Sequence, residues 1–191
     1  MSEGKFVVFE GLDRSGKTTV VNSLYESLLP IASVSKIRFP NRNGCIGKTI
    51  DEYLQKKITL KSETIHLLFA ADRYEHKAMI EDLRKDSIVL CDRYSMSGVA
   101  YSAAKGLDLN WCAMSESLLP KPDLTVFIDI PMDEICRRKG FGEEIFDNIA
   151  FLKKVRSAYQ TLLKEEKNVL IVDGTLSVNE IVEIVKKKIF E

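Results

Sequence analysis

Lys5-Phe6-Val7-Val8-Phe9-Glu10-Gly11-Leu12-Asp13-Arg14-Ser15-Gly16-Lys17-Thr18-Thr19-Val20-Val21 is the stretch that decides how the rest of the chain is read. Phe6 to Phe9 is a short apolar run ending at Glu10-Gly11, the pattern of a buried strand. Gly11 to Thr18 then fits G-x-x-x-x-G-K-[ST] at every fixed position. Beyond it, apolar residues at 20, 21, 24, 25, 28 and 29 follow helical spacing.

Strand, glycine-bounded loop and helix in that order suit phosphate capture. Gly11 and Gly16 can take backbone angles closed to other residues and leave no side chain in the way. Successive N–H groups can then point inward as a nest for phosphate oxygens. The new helix adds unpaired N–H groups and the positive end of its dipole. Lys17 brings a compact charge to the β- and γ-phosphates, and the Thr18 hydroxyl suits Mg²⁺. The expectation is a nucleoside triphosphate site.

Outward from this loop, strand and helix signals alternate, which argues for a parallel sheet covered on both faces. Further strands are expected at 34–39, 87–91, 124–130 and 169–172, and helices at 46–54, 62–83, 95–105, 133–139, 148–167 and 178–189. The fold class is α/β: a three-layer P-loop NTPase fold with a five-stranded parallel sheet flanked by helices, like a nucleoside monophosphate kinase. Residues 1–191 read as a single domain, with a lid segment at about 137–148 around Gly140-Phe141-Gly142.

Composition narrows the partners. Lys plus Arg equals Asp plus Glu at 28 each, so no overall field favours nucleic acid or an anionic membrane. No apolar run reaches membrane-spanning length. Met1 leads almost directly into the first strand with no signal-peptide pattern, so a cytoplasmic protein is expected, a nuclear or organellar pool being left open. Cys45, Cys91, Cys112 and Cys136 are scattered, which suits neither metal ligation nor structural disulfides.

A phosphate loop alone serves GTPases, motors, transporters and small-molecule kinases. A GTPase would need a guanine-reading N-K-x-D sequence, and none occurs. A small kinase must neutralise two sets of phosphates, so arginines near strand ends are informative. Asp92-Arg93 follows a buried strand, where open α/β sheets place ligand sites. Asp92 could hold Mg²⁺ through water and Arg93 could bridge donor and acceptor phosphates. Arg14, inside the loop, could reach the γ-phosphate as it transfers. Arg137, Arg138 and Lys139 could close over the nucleotide; a solvated helix end is the plainer reading of the same residues.

With these residues in hand, the sequence resembles thymidylate kinase over nearly its whole length. The resemblance is carried by residues 9–18, by Arg38-Phe39-Pro40-Asn41-Arg42, by 66–73, by Asp92-Arg93-Tyr94-Ser95-Met96-Ser97-Gly98-Val99-Ala100-Tyr101 and by 119–123. The arginine in the phosphate loop is nearest the eukaryotic and large-virus members. The resemblance implies Mg²⁺-dependent transfer of the γ-phosphate of ATP to dTMP, and a homodimer in which the helix around 65–71 could supply the surface. By resemblance the catalytic set is Arg14, Lys17, Asp92 and Arg93, and the metal set Thr18 and Asp92. ATP would meet Gly11, Asp13, Arg14, Ser15, Gly16, Lys17, Thr18, Thr19 and, at adenine, Arg137.

For dTMP the resemblance implies Asp13 at the sugar 3′-hydroxyl, and Arg42 and Arg93 at the acceptor phosphate. It puts Phe69 on the thymine ring, Phe39 lining the same pocket, Arg73 at O4 and Tyr101 beside C2′, with Ser97, Gly98 and Phe146 completing the pocket. From spacing alone, Phe69 reads as core and Arg73 as a helix-surface charge. Residues 142–147 are acidic where a basic lid would be expected, in keeping with Arg14 supplying the catalytic charge. Relatives often have Tyr where Phe146 stands. A kinase of different base or nucleoside specificity and a non-catalytic nucleotide-binding module are the alternatives.

Overall fold

A computed structural model describes residues 4–138, 146 and 148–191. Five parallel strands, β1 (Lys5–Glu10), β2 (Val34–Arg38), β3 (Ile88–Asp92), β4 (Leu124–Asp129) and β5 (Val169–Asp173), lie in the order β2-β3-β1-β4-β5. Parallel strands covered on both sides need continuous apolar runs. β1, β3 and β4 have them, and β1 is central.

Alternation within β1 divides the core. Val7 and Phe9 join Leu90 and Val126 beneath α1 (Lys17–Leu28), where Val20, Val21 and Leu24 pack, and α9 (Val178–Phe190), which adds Ile181 and Val185. Phe6 and Val8 face the opposite side with Val89, Cys91, Phe39 and Tyr94. On this side lie α2 (Cys45–Leu54), α3 (Ser62–Glu75), α4 (Lys77–Asp86), α5 (Ser95–Ala104), α6 (Leu109–Ser115), α7 (Met132–Arg137) and α8 (Ile149–Glu165). Leu152, Val155 and Tyr159 of α8 pack with Ala100, Tyr101 and Phe127.

Beyond shifts of a few residues at element ends, two helices differ from the sequence expectation. The helix expected over 62–83 is broken at His76, with φ −100° and ψ 1°. Its ring Nδ1 donates to the Asp72 carbonyl (2.7 Å), the acceptor that the His76 N–H would use in a continuous helix, and Nε2 meets Asn41 Nδ2 (2.7 Å). The unforeseen α6 is capped by Asp108, whose carboxylate accepts from Trp111 N–H at 2.8 Å. Most of the expected lid, 139–145 and 147, lies outside the described residues.

The sheet register positions the site. Phe9 pairs with Asp92, so the loop leaving β1 and the turn leaving β3 emerge side by side at the carboxyl edge. Arg93 N–H donates to the Phe9 carbonyl at 2.9 Å and joins the two exits.

Candidate active site

The loop after β1 is shaped by backbone conformations that few residues adopt. Gly11 has φ 144°, and a Cβ there would stand 2.7 Å from the Ile128 carbonyl oxygen; Gly16, at φ 97°, caps α1. Arg14 (φ 64°) and Arg93 (φ 70°) hold left-handed conformations without being glycine, which is characteristic of functional turns.

Lys17 curls back inside the loop. Its Nζ donates to the Leu12 carbonyl (2.6 Å) and to Ser15 Oγ (3.1 Å), and the side chain is buried. Burial, with Arg93 as a second cause, lowers its pKa to about 7, against the opposing pull of Asp13, Asp92 and Glu10. Thr18 Oγ1 donates to Asp92 Oδ2 at 2.6 Å, which brings a hydroxyl and a carboxylate together at the mouth of the cradle.

Arg93 crosses from the β3 exit to the loop. Its Nη1 donates to the Gly11 carbonyl (3.2 Å) and Ser97 Oγ (3.1 Å), and Nη2 donates to Asp13 Oδ1. Tyr101 Oη donates to Asp13 Oδ2 (2.7 Å) and accepts from Asp13 N–H (3.0 Å), while its ring lies beneath the Arg93 guanidinium at 5.4 Å. The Tyr101 ring is therefore fixed beside the cradle.

One cleft of about 440 Å³ runs from this cradle to a second wall formed by α2, α3 and α5. Of the expected residues, Asp13, Arg14, Gly16, Lys17, Thr18, Thr19, Phe39, Arg42, Phe69, Arg73, Arg93, Ser97, Gly98, Tyr101 and Phe146 line it. Gly11, Ser15 and Asp92 support it through the contacts above. Arg137 does not line it: the side chain is exposed and pairs with Glu134 (2.7 Å) on its own helix. Its neighbour Arg138 reaches the Arg14 carbonyl and borders the cleft.

Arg73 corrects the reading from spacing alone. It is buried, and its Nε (2.9 Å) and Nη2 both donate to Glu116. Burial opposes its charge, and Glu116 more than restores it, so its pKa is raised. Gly98 makes this possible, because a Cβ there would lie 2.4 Å from Arg73 Nη2 and 2.8 Å from Glu116 Oε1. Arg42 is half-exposed and forms a 2.9 Å ion pair with Asp51, without an aligned hydrogen bond to Asp51 Oδ1. Its loop is held from α3, where Asp72 Oδ2 accepts from Asn41 N–H at 2.8 Å.

Lys105 in the cleft, and Glu116 and Glu10 buried behind it, were not expected from sequence. Lys105 sits between the Tyr53 and Phe146 rings, at 5.0 and 4.9 Å from their centroids, and burial lowers its pKa to about 8. Glu116, on a segment that reads as a loop, has no local pattern to announce it. Glu10 stands inside the motif stretch, so its position was visible while its task was not.

A charge-neutralising loop facing a pocket large enough for a nucleotide, on this sheet, defines a P-loop phosphotransferase of the nucleoside monophosphate kinase type. Residues 9–185 match the family model described as thymidylate kinase. A thymidylate kinase of Arabidopsis thaliana is 42% identical over 161 residues, covering 83% of this chain and 61% of that one. Those of Dictyostelium discoideum and Schizosaccharomyces pombe are 36% and 40% identical, covering 95% and 86% of this chain and 82% and 79% of theirs. The solved thymidylate kinase of Candida albicans has a TM-score of 0.88 at 33% identity, covering 98% of this chain and 92% of that one. The chain belongs to the thymidylate kinase family.

Proposed function

We infer that the chain transfers the γ-phosphate of ATP to the 5′-phosphate of dTMP, giving ADP and dTDP. The observation that carries this reading is the cleft in which the Lys17 cradle faces the Phe69 and Arg73 wall across Arg93. Cradle N–H groups and Lys17 hold the β- and γ-phosphates. Arg14 and Arg93 neutralise the transferring group, a task for which one arginine can supply ~10³–10⁵ in rate. The attacking oxygen belongs to a phosphate whose second pKa is near 6, so it is already ionised and needs no general base.

Thr18 and Asp92 fit Mg²⁺: both are hard oxygen donors, and such sites combine one or two protein ligands with substrate phosphates and water. Bound there, the ion would supply neutralisation of phosphate charge. Arg42 turns from Asp51 to the acceptor phosphate, and Asp13 takes the sugar 3′-hydroxyl. Tyr101 crowds C2′, Phe69 stacks on thymine and Phe146 closes the sugar side. Arg73, oriented by Glu116, donates to O4. Cytosine presents an amino group there, and donor against donor in a buried site is strongly disfavoured. For adenine, Arg138 is the lid-side arginine with a contact to the loop, whereas the exposed Arg137 has none to support that role.

A homodimer is part of the proposal. Leu67 of α3, Trp111 and Met114 of α6, and Leu118 beyond it are exposed apolar side chains, with Trp111 packed on His66 of α3. Sedimentation of Leu67→Glu should yield monomer where the wild type sediments as dimer.

An acceptor panel of dTMP, dUMP, dCMP, dGMP and AMP with ATP and Mg²⁺ tests the activity. Fastest turnover is expected with dTMP; faster phosphorylation of dCMP would overturn the Arg73 assignment. Arg14→Ala should abolish turnover with the circular dichroism unchanged, and wild-type activity in that variant would make the loop arginine a bystander.

A further inference from the structure

Glu10 is fully enclosed at the end of β1, and the reaction described above gives it no direct part. Four donors converge on its two oxygens, and the oxygens divide the work. Oε1 accepts from the backbone N–H groups of Tyr94 (3.0 Å) and Ser97 (3.1 Å). Among the described residues, Oε2 meets two hydroxyls, those of Ser97 and of Tyr159 (3.0 Å). A carboxylate only accepts, whereas a hydroxyl has one proton and two lone pairs. The Ser97 proton therefore goes to Oε2, and Ser97 Oγ turns a lone pair toward Arg93 Nη1 at 3.1 Å. Tyr159 Oη, 2.8 Å from Ser97 Oγ, closes the triangle from α8.

We propose that Glu10 is a positioning residue for Arg93, taking the proton of the Ser97 hydroxyl so that a lone pair of Ser97 Oγ is held toward the guanidinium. The inference rests on the reading above, in which Arg93 meets the transferring phosphate. Arg93 is well placed to need such support. Its φ of 70° is a conformation that a non-glycine residue keeps only when its surroundings over-determine it. Glu10 anchors the next residue, Tyr94, through one oxygen and the guanidinium, through Ser97, with the other.

Glu10→Gln separates these two tasks without changing shape. The amide oxygen can still accept from Tyr94 and Ser97 N–H groups, but the NH₂ group now donates to Ser97 Oγ, whose own proton loses its carboxylate acceptor and passes to Tyr159 Oη, so the hydroxyl holds Arg93 Nη1 less firmly. The expected result is a kcat lowered roughly ten- to a hundred-fold, the scale of a small misplacement at a reacting centre. The KM for ATP and the thermal midpoint should change little.

Ser97→Ala removes the middle of the relay with Glu10 in place, and it should lower kcat on its own. In the double variant the two losses should not multiply, because Glu10 acts through Ser97. The Arg93 guanidinium ¹⁵N resonances, which need no turnover, should shift in Glu10→Gln and should not differ between Ser97→Ala and the double variant. Wild-type kcat in either single variant, multiplying losses, or unmoved Arg93 resonances would overturn the proposal. A wild type inactive on every acceptor of the panel would instead sink the reading of the site, while the resonances would still decide the relay.

Discussion

ATP binding at pH 8 should draw a proton from solution, and Lys17 should be its destination. With a pKa of about 7 in the free protein, Lys17 is protonated in only about a tenth of molecules at pH 8. One phosphate charge at about 4 Å, with an effective dielectric near 20, contributes about 4 kcal/mol, or about three pKa units. That returns the group to about 10 and fully charges it, so uptake should be about 0.9 proton per site at pH 8. At pH 6 the free protein already carries the charge, and uptake should fall to about 0.1. The sign follows from a pKa lowered in the free state and raised in the bound one. Titration calorimetry with Mg²⁺ and a non-hydrolysable ATP analogue, in buffers of different ionisation enthalpy, reads the number directly as a slope. A slope below about 0.2 at pH 8, or one that persists in Lys17→Met, would refute the argument.

Glu116→Ala leaves the Arg73 charge buried without its partner, and urea unfolding should show a loss of about 3–5 kcal/mol. Gly98→Ala would favour the helix by about 1 kcal/mol in isolation. Its Cβ must nevertheless displace Arg73, so the KM for dTMP should rise roughly ten- to a hundred-fold, the equivalent of one charged hydrogen bond. Unchanged dTMP kinetics in Gly98→Ala would show that Arg73 tolerates the displacement. Asp92→Asn should raise the Mg²⁺ concentration needed for half-maximal activity roughly tenfold; an unaltered Mg²⁺ dependence would remove Asp92 from the metal site.

The cradle was legible because its chemistry is local. Glycines, lysine and threonine at fixed offsets between a strand and a helix carry their own meaning, and Asp92-Arg93 stood at a recognisable strand end. The opposite wall was less so. Phe69 and Arg73 have ordinary helical spacing, and what removes Arg73 from water is Glu116, on a different helix end, together with the missing Cβ of Gly98. Neither is a local pattern, so spacing alone assigned the arginine to the surface and only the resemblance pointed inward. The break at His76 was hidden for a related reason. The ring competes for a carbonyl of its own helix only because Asn41 holds its far nitrogen. The exposed pairing of Arg137, with Arg138 turned to the cleft, depends on where α7 ends, a detail of one residue that periodicity does not resolve.

Placing β1 between β3 and β4 carries a cost during synthesis. Its neighbours in the sheet begin at Ile88 and Leu124, so the apolar run Phe6–Phe9 leaves the ribosome long before either side of it can be covered. Until then it is an unprotected template for pairing with other chains. Because the cradle needs the β3 exit, ATP can bind only after that wait is over; the nucleotide can hold the finished protein together but cannot chaperone its beginning.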